Sequence, residues 1–239
     1  MAQEVFAGTV KDREELGRMP AEYQEMVRKV VRSHMINELA GAEAFDVPAV
    51  DWAKTAEDKW MALQIAQEEY GHHVMFSRLG RTMGLDADSL DIKQQALSVF
   101  QVKVESWVEF LMVKAIVDLA EVVMIDDLEE SSYEPLKELS IKTLPEERFH
   151  TGFGRQRLKQ VVKTPEGRAE AQAALDKLYP VTLGFFGASI SRNNELYRRW
   201  HLKKRTNDEM REDYTRRVRE VAAELGLTMP EVSFQPAVS

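Results

Sequence analysis

The chain contains no cysteine, which removes three kinds of site at once: a disulfide framework, a thiolate zinc site and an iron–sulfur cluster. Any transition metal must then be held by carboxylate and imidazole, a donor set that suits iron or manganese better than structural zinc. Positive charge is also short. With 32 Lys and Arg against 40 Asp and Glu the formal charge is −8, which argues against a general nucleic-acid binder. Met1 to Glu15 shows no basic-then-apolar leader, so a cytoplasmic location is expected. Long hydrophobic runs are missing as well. The most apolar stretch, Trp107 to Ile125, is broken by Glu109, Lys114, Asp118 and Glu121, unlike a membrane span and like a helix buried inside protein. Strand alternation, a short-period repeat and a Gly-rich dinucleotide fingerprint are all absent.

What is present is helical periodicity, in a length that suits one domain, residues 1–239, with a full core. Met1 to Met19 is polar and expected to be loosely attached, with room for one short helix. From Pro20 to about Phe45 the apolar positions Tyr23, Met26, Val27, Val30, Val31, Met35, Ile36 and Leu39 keep a helical period. Phe45-Asp46-Val47-Pro48 is expected to end that helix. Thr55, with Asp58 three on, opens a second long helix that stops near Gly84. A loop and a shorter helix are expected from Asp86 to about Val102, then a very apolar third helix from about Glu105 to Glu130. Ser131-Ser132-Tyr133-Glu134-Pro135 makes a tight turn, with Pro135 starting a fourth helix. Pro145 should kink that helix or free one carbonyl, at roughly 3 kcal/mol in an ideal interior. A further helix follows Pro165 to about Phe186. Gly184, Gly187 and the Ser-Arg-Asn-Asn run read as a loop, and Thr206-Asn207-Asp208-Glu209 caps a last helix ending at Gly226. The expected fold is all-α, with a core bundle over about 20–163 and a helical extension over about 165–230.

Two stretches carry chemistry. In Gln67-Glu68-Glu69-Tyr70-Gly71-His72-His73, Glu69 and His72 stand three apart, so both side chains leave one helix face about a turn from each other. Glu147-Arg148-Phe149-His150 repeats the arrangement. A Glu-rich chain with five histidines should show on the order of half an E-x-x-H by accident, so the partner acids must decide what two of them mean. Two such pairs make half of the carboxylate cage of di-iron four-helix bundles, which takes one further acid from each of two other helices.

Antiparallel helices bring two residues level when each lies equally far from the turn. Counting from Ser131 to Tyr133, Glu147 lies about 13 residues beyond and Asp118 about 12 before. Glu121 is only about 9 before, roughly 4 to 5 Å out of register. Asp118 is therefore preferred, and Glu121, one turn along the same face, is a neighbouring acid or an alternative ligand. In the first helix Glu38 and Glu43 compete. Glu38 stands 31 positions before Glu69, close to the 29 between Asp118 and Glu147, which marks a pseudo-repeat of two helical hairpins and favours Glu38. An unpaired Asp118 would be expensive to bury among Ile116, Val117, Leu119, Ala120 and Val122. A metal with several anionic ligands would offset that penalty, and a charge pair with Lys114 is the simpler explanation. His34 and His201 read as ordinary polar residues, and His73 points about 100° away from His72.

Set in their surroundings, these residues resemble a known family. His34-Met35-Ile36-Asn37-Glu38, Gln67 to His72, Val117-Asp118 and Glu146-Glu147-Arg148-Phe149-His150 are similar to the ferritin-like catalytic subunits of the phenylacetyl-CoA 1,2-epoxidase family. So are Ser132-Tyr133-Glu134-Pro135 and Thr206-Asn207-Asp208-Glu209. The similarity runs from about Pro20 to Pro230, almost without gaps from Asp91 to His150. It implies a ferritin-like four-helix bundle holding two iron ions, or a mixed manganese–iron pair, through Glu38, Glu69, His72, Asp118, Glu147 and His150. Glu69, Asp118 and Glu121 are the residues it places at the reaction. The implied activity is that of a monooxygenase of aromatic degradation, which activates O2 and epoxidises the ring of an acyl-CoA thioester, phenylacetyl-CoA by default.

Electrons are then expected from a separate reductase carrying flavin and an iron–sulfur cluster, since this chain has neither cysteine nor a dinucleotide fingerprint. An oligomeric complex that includes a homologous structural subunit is expected too. The CoA phosphates point to the basic run from Arg198 to Arg205, with Lys203 and Lys204 foremost and Arg32 on the first helix behind them. The chain departs from the family at Gln95-Ala96-Leu97-Ser98, where the family has Lys-Tyr-Ser-Ser near the substrate, and after the last helix, where the family runs on. Two alternatives fit less fully. One is a metal-free structural subunit, whose ligand positions are degenerate in the family whereas all six are intact here. The other is an iron-storage or peroxide-detoxifying bundle, which has no use for the basic run.

Overall fold

The structure, a computed structural model, describes residues 6–232. Among these residues every extended element is a helix, and the strand-like pairing is a single bridge between Val10 and Tyr133. The chain enters through α1 (Arg13–Arg18), where the Asp12 carboxylate accepts from the Glu15 N–H. The first long rod begins with α2 (Ala21–Gly41) and passes through a π turn, Ala42–Asp46, into α3 (Val47–Trp52). The expected end at Phe45 to Pro48 is therefore wrong. A wide i→i−5 bond from the Val47 N–H to the Ala42 carbonyl rephases the ladder just ahead of Pro48, which lacks an N–H but sits where the new segment starts.

The second rod is α4 (Ala56–Thr82). Its start is set by Thr55, whose hydroxyl accepts from the Asp58 N–H at 3.0 Å and donates to the Asp58 carboxylate at 2.8 Å. The segment from Asp86 to Val102 is not one shorter helix. It is a series of single turns, the middle one α5 (Ile92–Gln95), packed over the first rod. The third rod joins α6 (Trp107–Met112) to α7 (Asp118–Asp126) through a second π turn, Val113–Val117. The fourth is α8 (Glu134–Val161), which runs without interruption through Pro145. The carbonyl that Pro145 leaves without a donor belongs to Ile141, a half-exposed residue that solvent can reach.

The rods pair as two hairpins, α2 with α4 and the third rod with α8, and α4 also packs on α8. The result is a ferritin-like four-helix bundle. Gly154 lets α8 close on the third rod: a Cβ there would lie 2.6 Å from the Leu111 carbonyl oxygen and 2.7 Å from the Ala115 nitrogen, so only glycine fits. Beyond the bundle, α9 (Pro165–Thr182) lies on α6 and the second π turn, α10 (Arg192–Arg199) on α2, and α11 (Asn207–Leu225) on α7. The Ser-Arg-Asn-Asn run is not a loop, because Ser191 accepts from the Asn194 N–H and caps α10. Thr206 and Glu209 form a reciprocal capping box, and Gly226 (φ 65°) ends α11 in the left-handed conformation.

Arg205 fastens this extension to the bundle through Asp127 Oδ1 at 3.1 Å and the Val123 carbonyl at 2.5 Å. From residue 6 on, the N-terminal segment is also better attached than its composition suggests; residues 1–5 lie outside the described residues. Val10 is buried, and its N–H donates to the Ser132 carbonyl at 2.7 Å. No helix among the described residues is long and apolar enough to cross a membrane. In the interior Ile65, Phe110, Leu111 and Ile116 are fully buried, and truncating any of them to alanine would cost about 2–5 kcal/mol. The same interior holds Glu38, Glu69, His72, Asp118, Glu147 and His150, groups that a core excludes unless something compensates them.

Candidate metal centre

Glu38 comes from α2, Glu69 and His72 from α4, Asp118 from the head of α7, and Glu147 and His150 from α8. They converge as two sets: Glu38, Glu69, His72 and Glu147, and Glu69, Asp118, Glu147 and His150. In each set one ligand atom per residue lies within 4.8 Å of the others. Glu69 and Glu147 belong to both sets and divide their oxygens between them. Glu69 Oε2 is 3.8 Å from His72 Nδ1, and its Oε1 is 3.2 Å from His150 Nδ1. Glu147 Oε1 is 2.9 Å from His72 Nδ1, and its Oε2 is 3.7 Å from His150 Nδ1. Glu38 closes the His72 side at 3.6 Å and Asp118 the His150 side at 3.8 Å. The ring centres of the two imidazoles are 6.4 Å apart. Glu43, by contrast, is exposed on the first π turn.

Behind each imidazole stands an acid. His72 Nε2 donates to Glu146 at 2.7 Å, and His150 Nε2 donates to Glu68 at 2.8 Å. Each histidine is thus held by the acid that precedes the opposite rod's glutamate. Sequence reasoning gave Glu68 and Glu146 no role. The doubled acid in E-E-x-x-H, present in both stretches, is the signal that finds them, because neighbouring helix residues project about 100° apart and the second acid reaches across.

With Nε2 donating outward, each Nδ1 lone pair faces carboxylate oxygens. That arrangement is repulsive unless a proton or a cation lies between. Burial alone would depress both imidazoles, but the facing carboxylates of Glu147, then Glu38 for His72 and Glu68 for His150, hold them well above the ordinary range. Burial pushes the Asp118 carboxyl well up, with Glu69 and Glu147 adding to it against the charge of Lys114. Burial would raise Glu69 and Glu38 as well. Lys114 and His150 bring Glu69 down, and the nearby imidazoles of His34 and His72 bring Glu38 down. Both oxygens of Glu38 and of Glu147 and both Nδ1 atoms lack a hydrogen-bond partner, which is unusual at this burial. A divalent cation in each set would replace the protons and satisfy these atoms, and the donors fit iron or manganese.

Lys114 is the surprise. It is 1% exposed and reaches Asp46 Oδ1 at 2.6 Å, Asp118 Oδ2 at 2.9 Å and Glu69 Oε1 at 3.4 Å. The charge pair with Asp118 that the sequence offered as the simpler explanation is therefore present, extended by Asp46. Burial pushes Asp46 up to about 7, with Lys114 opposing. Asp46 lies on the first π turn and Lys114 on the second. Each widened turn re-aims one charged side chain into the bundle.

Glu121 does not join the His150 set. It groups with His34 and Glu38 and lines a cavity of about 210 Å³ together with Asn37, Met124, Phe186 and Lys203. His34 is accordingly not an ordinary polar residue. Its Nδ1 lies 3.5 Å from Glu38 Oε1 and its ring stacks on Phe76 at 4.6 Å. His73 turns away and meets the Met35 carbonyl at 2.7 Å.

Within the basic run, Lys203 reaches this cavity. It is buried, 3.9 Å from Met124 Sδ and 5.7 Å from the Tyr197 ring centre, and burial lowers its ammonium to about 8. Lys204 pairs with Glu130 at 2.6 Å, Arg199 with Glu22 and Arg205 with Asp127. Arg32 is exposed and donates to Gln95 at 2.9 Å.

Comparison with known proteins points the same way. Residues 10–237 match a family described as phenylacetic acid catabolic protein. The chain is also 25% identical, over 224 residues, to one of the subunits of 1,2-phenylacetyl-CoA epoxidase from Escherichia coli (strain K12). That alignment covers 89% of this chain and 71% of the relative. Since the family match takes in nearly the whole chain and every acid and imidazole of the buried cluster, this protein belongs to the phenylacetic acid catabolic protein family.

Proposed function

We propose that this chain is the oxygenase component of a phenylacetate-pathway monooxygenase, holding two iron ions and acting on the aromatic ring of an acyl-CoA. The observation that carries this reading is the sharing of Glu69 and Glu147 between two sets of buried donors, in which both oxygens of Glu38 and Glu147 and both imidazole Nδ1 atoms have no hydrogen-bond partner. Glu38 and His72 would hold one ion and Asp118 and His150 the other, with Glu69 and Glu147, which belong to both sets, available to each. A diferrous pair, once bound, supplies the electrons and binding positions that O2 activation needs. Phenylacetyl-CoA is the default substrate, after the relative's name.

The chain's own residues do the rest. Glu146 and Glu68 keep the two imidazoles in the tautomer that turns Nδ1 inward. Glu121 lines the cavity, and burial, reinforced by Glu38 and Glu147, pushes its carboxyl well up, so when no cation sits between it and Glu38 it would supply a proton there, with Glu69 and Asp118 the other acids at the reaction. Phe185, Phe186 and Tyr197 give the cavity aromatic walls suited to a ring. Lys203 offers its ammonium to the polar end of the acyl group. We assign the CoA phosphates to Lys204 and Arg32, whose partners Glu130 and Gln95 are surface groups that an anion displaces. A flavin and iron–sulfur reductase would deliver electrons, and a structural subunit would complete an oligomeric, cytoplasmic complex. That the relative is one subunit of its enzyme supports further subunits here.

A second reading has one observation in its favour. Lys114 already sets a positive charge against Asp118 and Glu69, as a metal-free structural subunit would require. Anaerobic titration with Fe(II) separates the two. The oxygenase takes up about two equivalents per chain and turns over phenylacetyl-CoA only with a reductase. Absence of uptake overturns the oxygenase reading.

A further inference from the structure

The two sets do not exhaust the buried donors. Glu38 Oε2 faces His72, but Oε1 turns the other way and lies 3.5 Å from His34 Nδ1. Glu121 completes a third group, in which one ligand atom each from His34, Glu38 and Glu121 lies within 4.8 Å of the others. All three residues are more than nine-tenths buried, at 7%, 1% and 8% exposed. Glu38 Oε1 has no hydrogen-bond partner, and Glu121 makes neither a hydrogen bond nor an ion pair among the described residues. Unlike the inner sets, this group opens on a cavity, since His34 and Glu121 both line it.

We infer that His34, Glu38 and Glu121 form a third cation position, through which a divalent metal ion passes from the cavity to the inner pair. The inference rests on the two-ion reading above and adds to it a route. His72, Glu147 and His150 are fully buried, so an ion reaches them only by being handed inward. A bare ion crossing such an interior would meet a prohibitive desolvation penalty. Here it need never shed all its anionic ligands at once. Glu38, with one oxygen on each side, joins the third position to the His72 set, and Glu69 and Glu147 join that set to the His150 set.

The third position has three protein donors against four in each inner set. It therefore holds its ion more weakly, as a transit position must, and cavity water completes the shell. Ser33, Asn37 and Asn194 give the cavity neutral polar walls. Lys203, which also lines it, is set against the Tyr197 ring and the Met124 sulfur rather than paired with Glu121.

Anaerobic titration with Co(II), read by ligand-field absorption, tests this together with anomalous scattering from Co(II)-soaked crystals. The expected result is two tight equivalents and a third, weaker one, with an anomalous peak between His34 and Glu121. Glu121→Gln, nearly isosteric, should lose the third equivalent alone and fill the inner pair about tenfold more slowly. His34→Gln, on a different rod, should do the same. A wild-type titration that stops at two equivalents, at Co(II) about a hundredfold above what fills the pair, overturns the third position and leaves the two-ion reading standing. So does a Glu121→Gln protein that keeps a third equivalent. A wild-type protein that binds no Co(II) removes both.

Discussion

Lys114 Nζ lies 2.9 Å from Asp118 Oδ2, the same oxygen that stands 3.8 Å from His150 Nδ1. It also reaches Glu69 Oε1, again the oxygen that faces His150. The ammonium leans on the two carboxylate atoms that an ion on the His150 side would use, and Asp46 anchors it from behind. Neither Glu38 nor Glu147 makes a lysine pair among the described residues. The two inner positions are therefore unequal.

Lys114→Met removes that counter-charge and leaves Asp46 and Asp118 buried without it. The metal-free variant is expected to lose about 3–5 kcal/mol in denaturant unfolding, while its second equivalent of Co(II) binds more tightly than in the wild type. An unchanged second affinity would show that the ammonium does not compete with the ion.

Glu146→Ala and Glu68→Ala each release an imidazole on the opposite rod. Either should weaken metal binding by about 10–100-fold, measured by competition with a chelator. The effect of Glu146→Ala is expected on the His72 side although Glu146 sits on α8.

The buried ammonium of Lys203, lowered to about 8 from 10.5, predicts a pH dependence. Between those values the unfolded chain holds a proton that the folded chain has released, so stability contributed at this site rises with pH from about 8 to 10.5. At neutral pH the buried charge costs on the order of 3 kcal/mol. Lys203→Met should therefore stabilise the protein at pH 7, with the gain shrinking above pH 8. If Lys203 holds the acyl-CoA, affinity for that ligand should fall in the wild type as pH passes about 8 and stay flat in Lys203→Arg.

Asp127 is 3% exposed and accepts from the Lys204 N–H at 3.1 Å, the Arg205 N–H at 3.3 Å and Arg205 Nε at 3.1 Å. Asp127→Ala should lower stability by about 2–3 kcal/mol in thermal or denaturant unfolding. The Co(II) stoichiometry should not change, because Asp127 belongs to none of the donor sets.

The rods and their ends are legible in the sequence because they obey local rules. Thr55, Thr206 and Gly226 act on groups within a turn of themselves, and the period of α2 runs over five turns of helix. The level of Asp118 is legible for a different reason: a hairpin converts sequence distance from its turn into height along the bundle. The π turns escape. One added residue turns the helical phase by about 100°, but where apolar residues occupy every face, as in the second π turn, the pattern before and after it reads the same. Val113–Val117 is buried on every side. With the first turn goes its cargo, Asp46, and with both goes the contact between Asp46 and Lys114, whereas the Lys114–Asp118 pair, one helical turn apart, is legible. The internal engagement of the basic run escapes because its partners, Glu22, Asp127 and Glu130, are brought there by tertiary folding alone.

The crossed grip on the two imidazoles has a final consequence. Glu68 of α4 holds the ring borne by α8, and Glu146 of α8 holds the ring borne by α4. A breathing motion that parts these rods lets go of both rings in the same instant. Heating should thus free the two imidazoles in a single cooperative event rather than one after the other.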